Sequence, residues 1–331
     1  MKNLHFKLDE KNSKIYSRIG SRATFGLIAL DLAKKIDNLM ILTSDVSTSA
    51  GLDRYRKSFP DKYLEVGIAE QNLIGIAAGL ASENFNVFTT TFAPFQTMRC
   101  CEQIKVNLGY MKQKVCLVGL ASGLVLGPLG YTHCCVEDLS IMRSIPNMAV
   151  ISPADCGETA KTIYASLLYK DSVYIRLTGG SNSDIIYTKD YEFVIGRNDI
   201  IKEGDQATII SNGAILSESL KASYLLDKKG ISTRVVNMHT IKPLDVDNIK
   251  KIAKTSKLII TVEEHNIIGG LGSAVAECLS TLNSSPPQLF IGIPDSYKKS
   301  GEYEYLKREY KLTSELIFRQ IGEKYEQLGQ V

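Results

Sequence analysis

Residues 59–80 read FPDKYLEVGIAEQNLIGIAAGL. Within this stretch YLEVGI (63–68) has the apolar, branched character of a short strand, and EQNLIGIAAGLASE (70–83) repeats apolar residues at helical spacing. A strand that passes directly into an Ala/Gly-rich helix is one unit of a parallel sheet covered by helices. The flanks repeat that unit. Upstream, RATFGLIALDLAKKI (22–36) predicts a helix, LMILTSD (39–45) a strand ending in polar residues, and a Ser/Gly loop follows. Downstream, NVFTTTF (86–92) predicts a strand, 94–108 a helix, and VCLVGLAS (115–122) a strand buried on both faces. AVISPAD (149–155), helix GETAKTIYASLLY (157–169) and strand SVYIRLT (172–178) complete the first half.

The polar stretch GSNSDIIYTKD (180–190) reads as a linker. Beyond it the alternation resumes: strands ATIISNG (207–213), STRVVNMHT (232–240), KLIITVEE (257–264) and QLFIGI (288–293) are separated by helices over 215–230, 245–256 and 274–282. The expectation is an α/β protein of two domains, each a mostly parallel sheet flanked by helices, at 1–188 (core from about 15) and 189–331. A length of 331 residues suits two such domains.

Composition narrows the function. Lys+Arg 39 against Asp+Glu 36 leaves a net charge of +3, with no basic block, which argues against a nucleic-acid or anionic-membrane partner. No apolar run reaches the roughly 18 residues of a membrane span, and the opening MKNLHFKLDEKNSK lacks a secretory signal's apolar segment. The seven cysteines are an odd number without C-x-x-C or zinc spacing. They fit a reducing, cytoplasmic setting in which most are small buried hydrophobes.

In open parallel sheets ligands gather at the carboxyl ends of strands. That rule selects Asp45, Glu70, Phe92, Phe95, the Gly-rich loop 123–133 ending in His133, and Arg176. Glu70 opens an apolar helix, so its carboxylate either caps backbone N–H groups or, if buried, is paired or available for proton transfer. Phe92 and Phe95 follow the hydroxyl-rich strand end Thr89-Thr90-Thr91. They either fill core or sandwich a planar heterocycle. His133 is one of four histidines and sits in a loop whose glycines let backbone approach a ligand. Arg176 lies in an apolar strand, so it is either paired internally or waiting for an anion. The turn Gly269-Gly270-Leu271-Gly272-Ser273 has the look of a phosphate cradle but lacks G-x-G-x-x-G order, and close helix–strand packing accounts for it as well.

These segments together resemble a known family. Phe59 to Asn72 with Gly75-Ile76-Ala77-Ala78-Gly79-Leu80, Thr90-Thr91-Phe92-Ala93-Pro94-Phe95, Gly130-Tyr131-Thr132-His133, Ile145-Pro146-Asn147-Met148 and Ser152-Pro153-Ala154-Asp155 are similar to the pyrimidine-binding domain of transketolases. The second half resembles the transketolase C-terminal domain, and the whole resembles the C-terminal part of a transketolase split between two polypeptides. The resemblance implies thiamine diphosphate as cofactor and transfer of a two-carbon ketol unit between sugars. It further implies that Glu70 bonds N1′ of the aminopyrimidine, that Phe92 and Phe95 wall its ring, and that Asp45 lies near the thiazolium. His133 would contact substrate hydroxyls or a developing oxyanion, Arg176 would hold a substrate phosphate or carboxylate, and Arg22 would be a second anion contact.

Two departures from the family pattern stand out. No Gly-Asp-Gly is present, since Gly204-Asp205 runs into Gln206. The diphosphate and its Mg2+ (or Ca2+) are therefore expected on a partner chain, an N-terminal transketolase subunit, in a heterotetramer. The acidic pair usual before the Gly-x-Thr-His motif is replaced by Pro128 and Leu129, and the Gln usual after the His is Cys134. These changes imply a more apolar pocket and leave three readings: an unusual substrate such as a deoxy-, amino- or nucleotide-linked sugar or a small 2-oxo acid, compensation by a neighbouring residue, or a specialised paralogue outside the pentose phosphate pathway. The alternatives are a beta chain of a 2-oxo acid decarboxylase or dehydrogenase, a deoxyxylulose-phosphate-synthase-like enzyme, and a noncatalytic stabilising partner.

Overall fold

The computed structural model describes residues 4–329. Among the described residues twelve strands form two sheets. They are β1 (Leu39–Thr43), β2 (Tyr63–Glu65), β3 (Asn86–Phe92), β4 (Val115–Leu120), β5 (Met148–Ile151), β6 (Ser172–Arg176), β7 (Asp199–Lys202), β8 (Ala207–Ser211), β9 (Thr233–Asn237), β10 (Thr240–Lys242), β11 (Leu258–Asn266) and β12 (Gln288–Ile293). The helices are α1 (Glu10–Ala33), α2 (Asp53–Ser58), α3 (Glu70–Ser82), α4 (Ala93–Thr97), α5 (Cys101–Gln103), α6 (Asp138–Ser144), α7 (Cys156–Leu168), α8 (Leu216–Lys228), α9 (Val246–Thr255), α10 (Leu271–Leu279), α11 (Tyr303–Glu309) and α12 (Ser314–Leu328).

The first sheet has the order β10-β5-β6-β4-β3-β1-β2 and the second β12-β11-β8-β9-β7. All pairings are parallel except β10 on β5 and β7 on β9. The α/β class with two mostly parallel sheets is as the sequence predicts. Every residue of β4 is buried, as its unbroken apolar run requires of a strand covered on both faces.

The local differences have local causes. Helix α1 begins earlier than predicted and breaks at Gly20, whose φ of +82° carries the chain past Gly180; a Cβ there would lie 2.8 Å from the Gly180 carbonyl oxygen. The helix predicted over 94–108 divides into α4, α5 and a π-helical stretch Ile104–Tyr110. The strand predicted over 63–68 stops at Glu65, whose side chain accepts the amides of Asp45 and Gly67. The run 232–240 divides after Asn237, and its continuation, β10, joins the first sheet. Among the described residues no helix is long and apolar enough to cross a membrane.

Candidate active site

Glu70 is the first residue of α3, at the end of the turn that leaves β2. The helix amides lie behind it, and its side chain is only 5% exposed. Its Oε1 accepts a hydrogen bond from Arg99 Nη1 at 2.7 Å, and no protein donor among the described residues reaches Oε2. Arg99 lies four residues beyond Phe95, past the break after α4, and its guanidinium stacks 4.0 Å from the Phe95 ring centre. Arg99 thus places the acid one guanidinium away from an aromatic wall.

Three rings close that wall. Phe92 ends β3 and caps the start of α4, in which Phe95 is the third residue. Their centres are 6.4 Å apart; His133 lies 6.1 Å from Phe92 and 5.4 Å from Phe95, each pair edge to face. All three rings are partly exposed, so they line a surface and are not sealed core. His133 Nδ1 sits 3.0 Å from Thr132 Oγ1, and its Nε2 has no protein partner among the described residues. The structure therefore brings together Glu70, Phe92, Phe95 and His133, and adds Arg99, which the sequence analysis missed. The i, i+4 spacing of Phe95 and Arg99 was the available signal.

Asp45 sits on the turn after β1 with φ +54°, a conformation Asp tolerates, and its side chain is exposed. The turn is built by Glu65, which sequence reasoning passed over. Its carboxylate accepts the Asp45 and Gly67 amides at 2.8 and 2.9 Å together with the Thr43 and Tyr63 hydroxyls. Burial alone would raise the pKa of Glu65, but those donors outweigh it and hold it below the ordinary value. Arg22 follows the Gly20 break in α1 and is partly exposed.

Arg176 is paired within the protein. It is 1% exposed, and its Nε lies 2.8 Å from Oδ2 of Asp138, itself fully buried. Nη2 donates to the Glu264 carbonyl at 2.9 Å, and Tyr174 OH donates to Asp138 at 2.7 Å. Of the two sequence readings, internal pairing holds. At 1% exposure, with Nε on Asp138 and Nη2 on the Glu264 carbonyl, the guanidinium is held inside the protein and is not presented at the surface.

The glycine turn 269–272 is also filled from within. The Glu263 carboxylate accepts Leu271 N–H at 2.7 Å and Gly272 N–H at 2.8 Å, occupying the start of α10 where an anion would bind. A Cβ at Gly270 would lie 2.1 Å from Glu263 Oε2. These glycines make room for a protein carboxylate. A second group, Glu158, Asp199 and His239, has spacing that would suit a metal. Both Glu158 oxygens are already taken, by Ala154 N–H, Tyr191 OH and the Asn237 amide. Glu158 also closes the start of α7, where Asp155 accepts Glu158 N–H at 2.7 Å.

A parallel sheet presenting a sheltered acid beside an aromatic wall and an imidazole with Nε2 unpartnered among the described residues places this chain among α/β proteins with polar and aromatic groups gathered at the strand ends. Comparison with known proteins narrows the class. Residues 17–182 match the family described as transketolase, pyrimidine binding domain, and 196–317 match transketolase, C-terminal domain. The chain belongs to the transketolase family. It is 36% identical to one of the chains of an apulose-4-phosphate transketolase of Phocaeicola vulgatus, over 90% of this chain and 95% of that one. It is 35% identical to a 6-deoxy-6-sulfo-D-fructose transketolase subunit of a Clostridium species, over 91% and 93%. A solved split gene transketolase, an inactive beta4 tetramer, superposes with a TM-score of 0.82 at 32% identity, covering 92% of this chain and 97% of that one.

Proposed function

We propose that this chain is the C-terminal subunit of a two-chain, thiamine-diphosphate-dependent transketolase that moves a two-carbon ketol unit between sugars. One observation carries the reading: the Glu70 carboxylate, bridged through Arg99 to the ring cluster of Phe92, Phe95 and His133, lies on a chain that lacks Gly-Asp-Gly. The residues suit the cofactor's pyrimidine end. Glu70 offers a sheltered carboxylate with an open Oε2, and Phe92 and Phe95 offer partly exposed rings to pack on a planar heterocycle. Thiamine diphosphate, when bound, supplies a carbon nucleophile and an electron sink for breaking and making carbon–carbon bonds.

This chain's residues bind, orient and move protons around that chemistry. Glu70 would hold the pyrimidine edge and exchange a proton there, and Arg99 would keep the carboxylate in place. His133 would present Nε2 to a sugar oxygen and stabilise charge that develops on it. Asp45, after β1, and Arg22, after the break in α1, would meet the polar parts of cofactor or substrate. The diphosphate and its Mg2+ (or Ca2+) would be held by an N-terminal subunit, with the two chains forming a cytoplasmic heterotetramer. The boundary between the two domains of this chain would fall at 188/189.

The surface beside Glu70 supports a partner. Ile68 is 76% exposed and Tyr110 83%, and Val106 and Met111 are exposed in and beside the π-helical stretch that packs on α3. A Cβ at Gly75 or Gly79, on the open side of α3, would meet nothing within 4 Å, so another chain can approach closely. The relatives named for sugars as different as apulose 4-phosphate and 6-deoxy-6-sulfo-D-fructose fit a scaffold whose sugar pocket varies, and Pro128 and Leu129 make this one apolar. The test is reconstitution. The purified chain with thiamine diphosphate and Mg2+ should show no ketol transfer, and adding the N-terminal subunit should restore it. Turnover by the chain alone would overturn the reading.

A further inference from the structure

The loop that presents His133 is gripped from the second sheet by a residue that touches neither the rings nor Glu70. Its two ends pair with each other: Gly123 N–H donates to Cys135 O at 2.8 Å, and Cys135 N–H returns to Gly123 O at 3.0 Å. Under that bridge lies Glu264, near the end of β11 and 2% exposed. Its Oε1 accepts Leu124 N–H at 2.7 Å, and its Oε2 accepts Tyr303 OH at 2.6 Å. Gly123, at φ +73°, is the only residue type the contact tolerates, because a Cβ there would stand 2.2 Å from Glu264 Oε1. Arg176 fastens the other side through the Glu264 carbonyl. Further along the loop, Gly301 N–H donates to Gly127 O at 3.2 Å, and the Tyr131 and Tyr310 hydroxyls are hydrogen-bonded.

We infer that Glu264 is a positioning residue: by holding Leu124 N–H, with Tyr303 behind it, the C-terminal domain sets the place of the loop that carries His133. A loop with glycines at 123, 127 and 130 has little stiffness of its own, so its anchors decide how closely the imidazole is held. A carboxylate bonded to a backbone N–H inside protein is a strong anchor, because the bond is charge-assisted and an unpaired buried acid is disfavoured. The inference rests on the transketolase reading only in taking His133 to meet the substrate.

The experiment uses Glu264→Ala, Glu264→Gln and Tyr303→Phe. Hydrogen–deuterium exchange is read on the full chain, and kcat and KM on the reconstituted two-chain enzyme. In Glu264→Ala, peptides covering 122–136 should exchange about tenfold faster while those of β3 and β4 do not change. The kcat should fall by about 10- to 100-fold with little change in KM, as expected when a reacting group is misplaced. Glu264→Gln keeps an acceptor for Leu124 N–H and should restore both readouts to within about threefold of the parent. Tyr303→Phe, which leaves the Leu124 contact intact, should fall between. Unchanged loop exchange in Glu264→Ala, exchange raised equally throughout the sheets, or Gln no better than Ala would each overturn the inference. The exchange arm needs no substrate. A parent complex with no sugar turnover would therefore sink the transketolase reading and leave exchange to decide the anchor.

Discussion

Arg176 Nε lies 2.8 Å from Asp138 Oδ2 with both side chains shut off from solvent. The pair sits between β6 and α6 and reaches across to the carbonyl of Glu264, so it joins the two sheets beneath the loop that carries His133. Breaking such a pair on one side leaves an uncompensated buried charge. Arg176→Met or Asp138→Asn should each lower stability by about 3–5 kcal/mol. The check is the midpoint of thermal or urea unfolding of the purified chain. If Arg176 were instead a substrate contact, the variant would raise KM and leave the midpoint in place.

Glu70 should behave in the opposite way. Its partner Arg99 is 42% exposed, so Glu70→Gln removes little packing and should leave the melting temperature nearly unchanged. In the reconstituted enzyme the same variant should lose about 10²- to 10⁴-fold in turnover, the usual range for a missing acid–base group. Steady-state assays beside a thermal melt separate the two effects.

What could be read in the chain ahead of its structure divides along the same line. Phe92, Phe95 and Glu70 were legible because the strand-end rule depends only on local pattern and each lies at the end of a strand or shortly beyond it, while His133 was legible as the end of the Gly-rich loop that follows β4. Glu264 was not, because its role depends on a partner 140 residues away, and for Arg99 only the spacing from Phe95 was local, while its bond to Glu70 spans 29 residues. Arg176 was legible as a buried arginine but not as to its partner, since an internal and an external anion leave the same trace in a strand. The short β10 was hidden by its continuity with β9, and only the departure of the chain at Met238 and His239 reveals a second sheet's edge. The helices α11 and α12 were missed because few buried apolar residues mark them, chiefly Leu306, Ile317 and Ile321.

Stability should depend on pH through two buried groups with opposite signs. Burial pushes His239 down to about 3 from an ordinary 6.5, so the fold keeps it neutral. Its contribution is complete above 6.5 and is lost as pH falls toward 3, because the unfolded chain takes up the proton first. Burial pushes Glu158 up to about 8 from an ordinary 4.5, against the donors that bond it. Its contribution is present below 4.5 and is lost as pH rises to 8. Melting temperature measured across this range should show His239→Asn flattening the acid limb and Glu158→Gln flattening the neutral-to-alkaline decline. A parallel shift of the whole curve in either variant would contradict this.

Leu129 is 57% exposed in the turn just before Gly130 and His133. A side chain that cannot accept a hydrogen bond there should favour donors with fewer hydroxyls. Leu129→Glu should move the ratio of kcat/KM toward fully hydroxylated ketoses by about tenfold or more, measured as competing donors in one reaction. An unchanged ratio would remove Leu129 from the sugar pocket.

Strand β10 belongs by sequence to the second half and by hydrogen bonding to the first sheet, where it covers the outer edge of β5. The consequence is practical. Cutting the chain near residue 190 would strip that cover and leave Met148–Ile151, four buried apolar residues, as a bare sheet margin open to pairing with any neighbour. The front portion produced by itself should precipitate or fibrillate, so swapping modules among related proteins will succeed only if the crossover lies beyond Lys242.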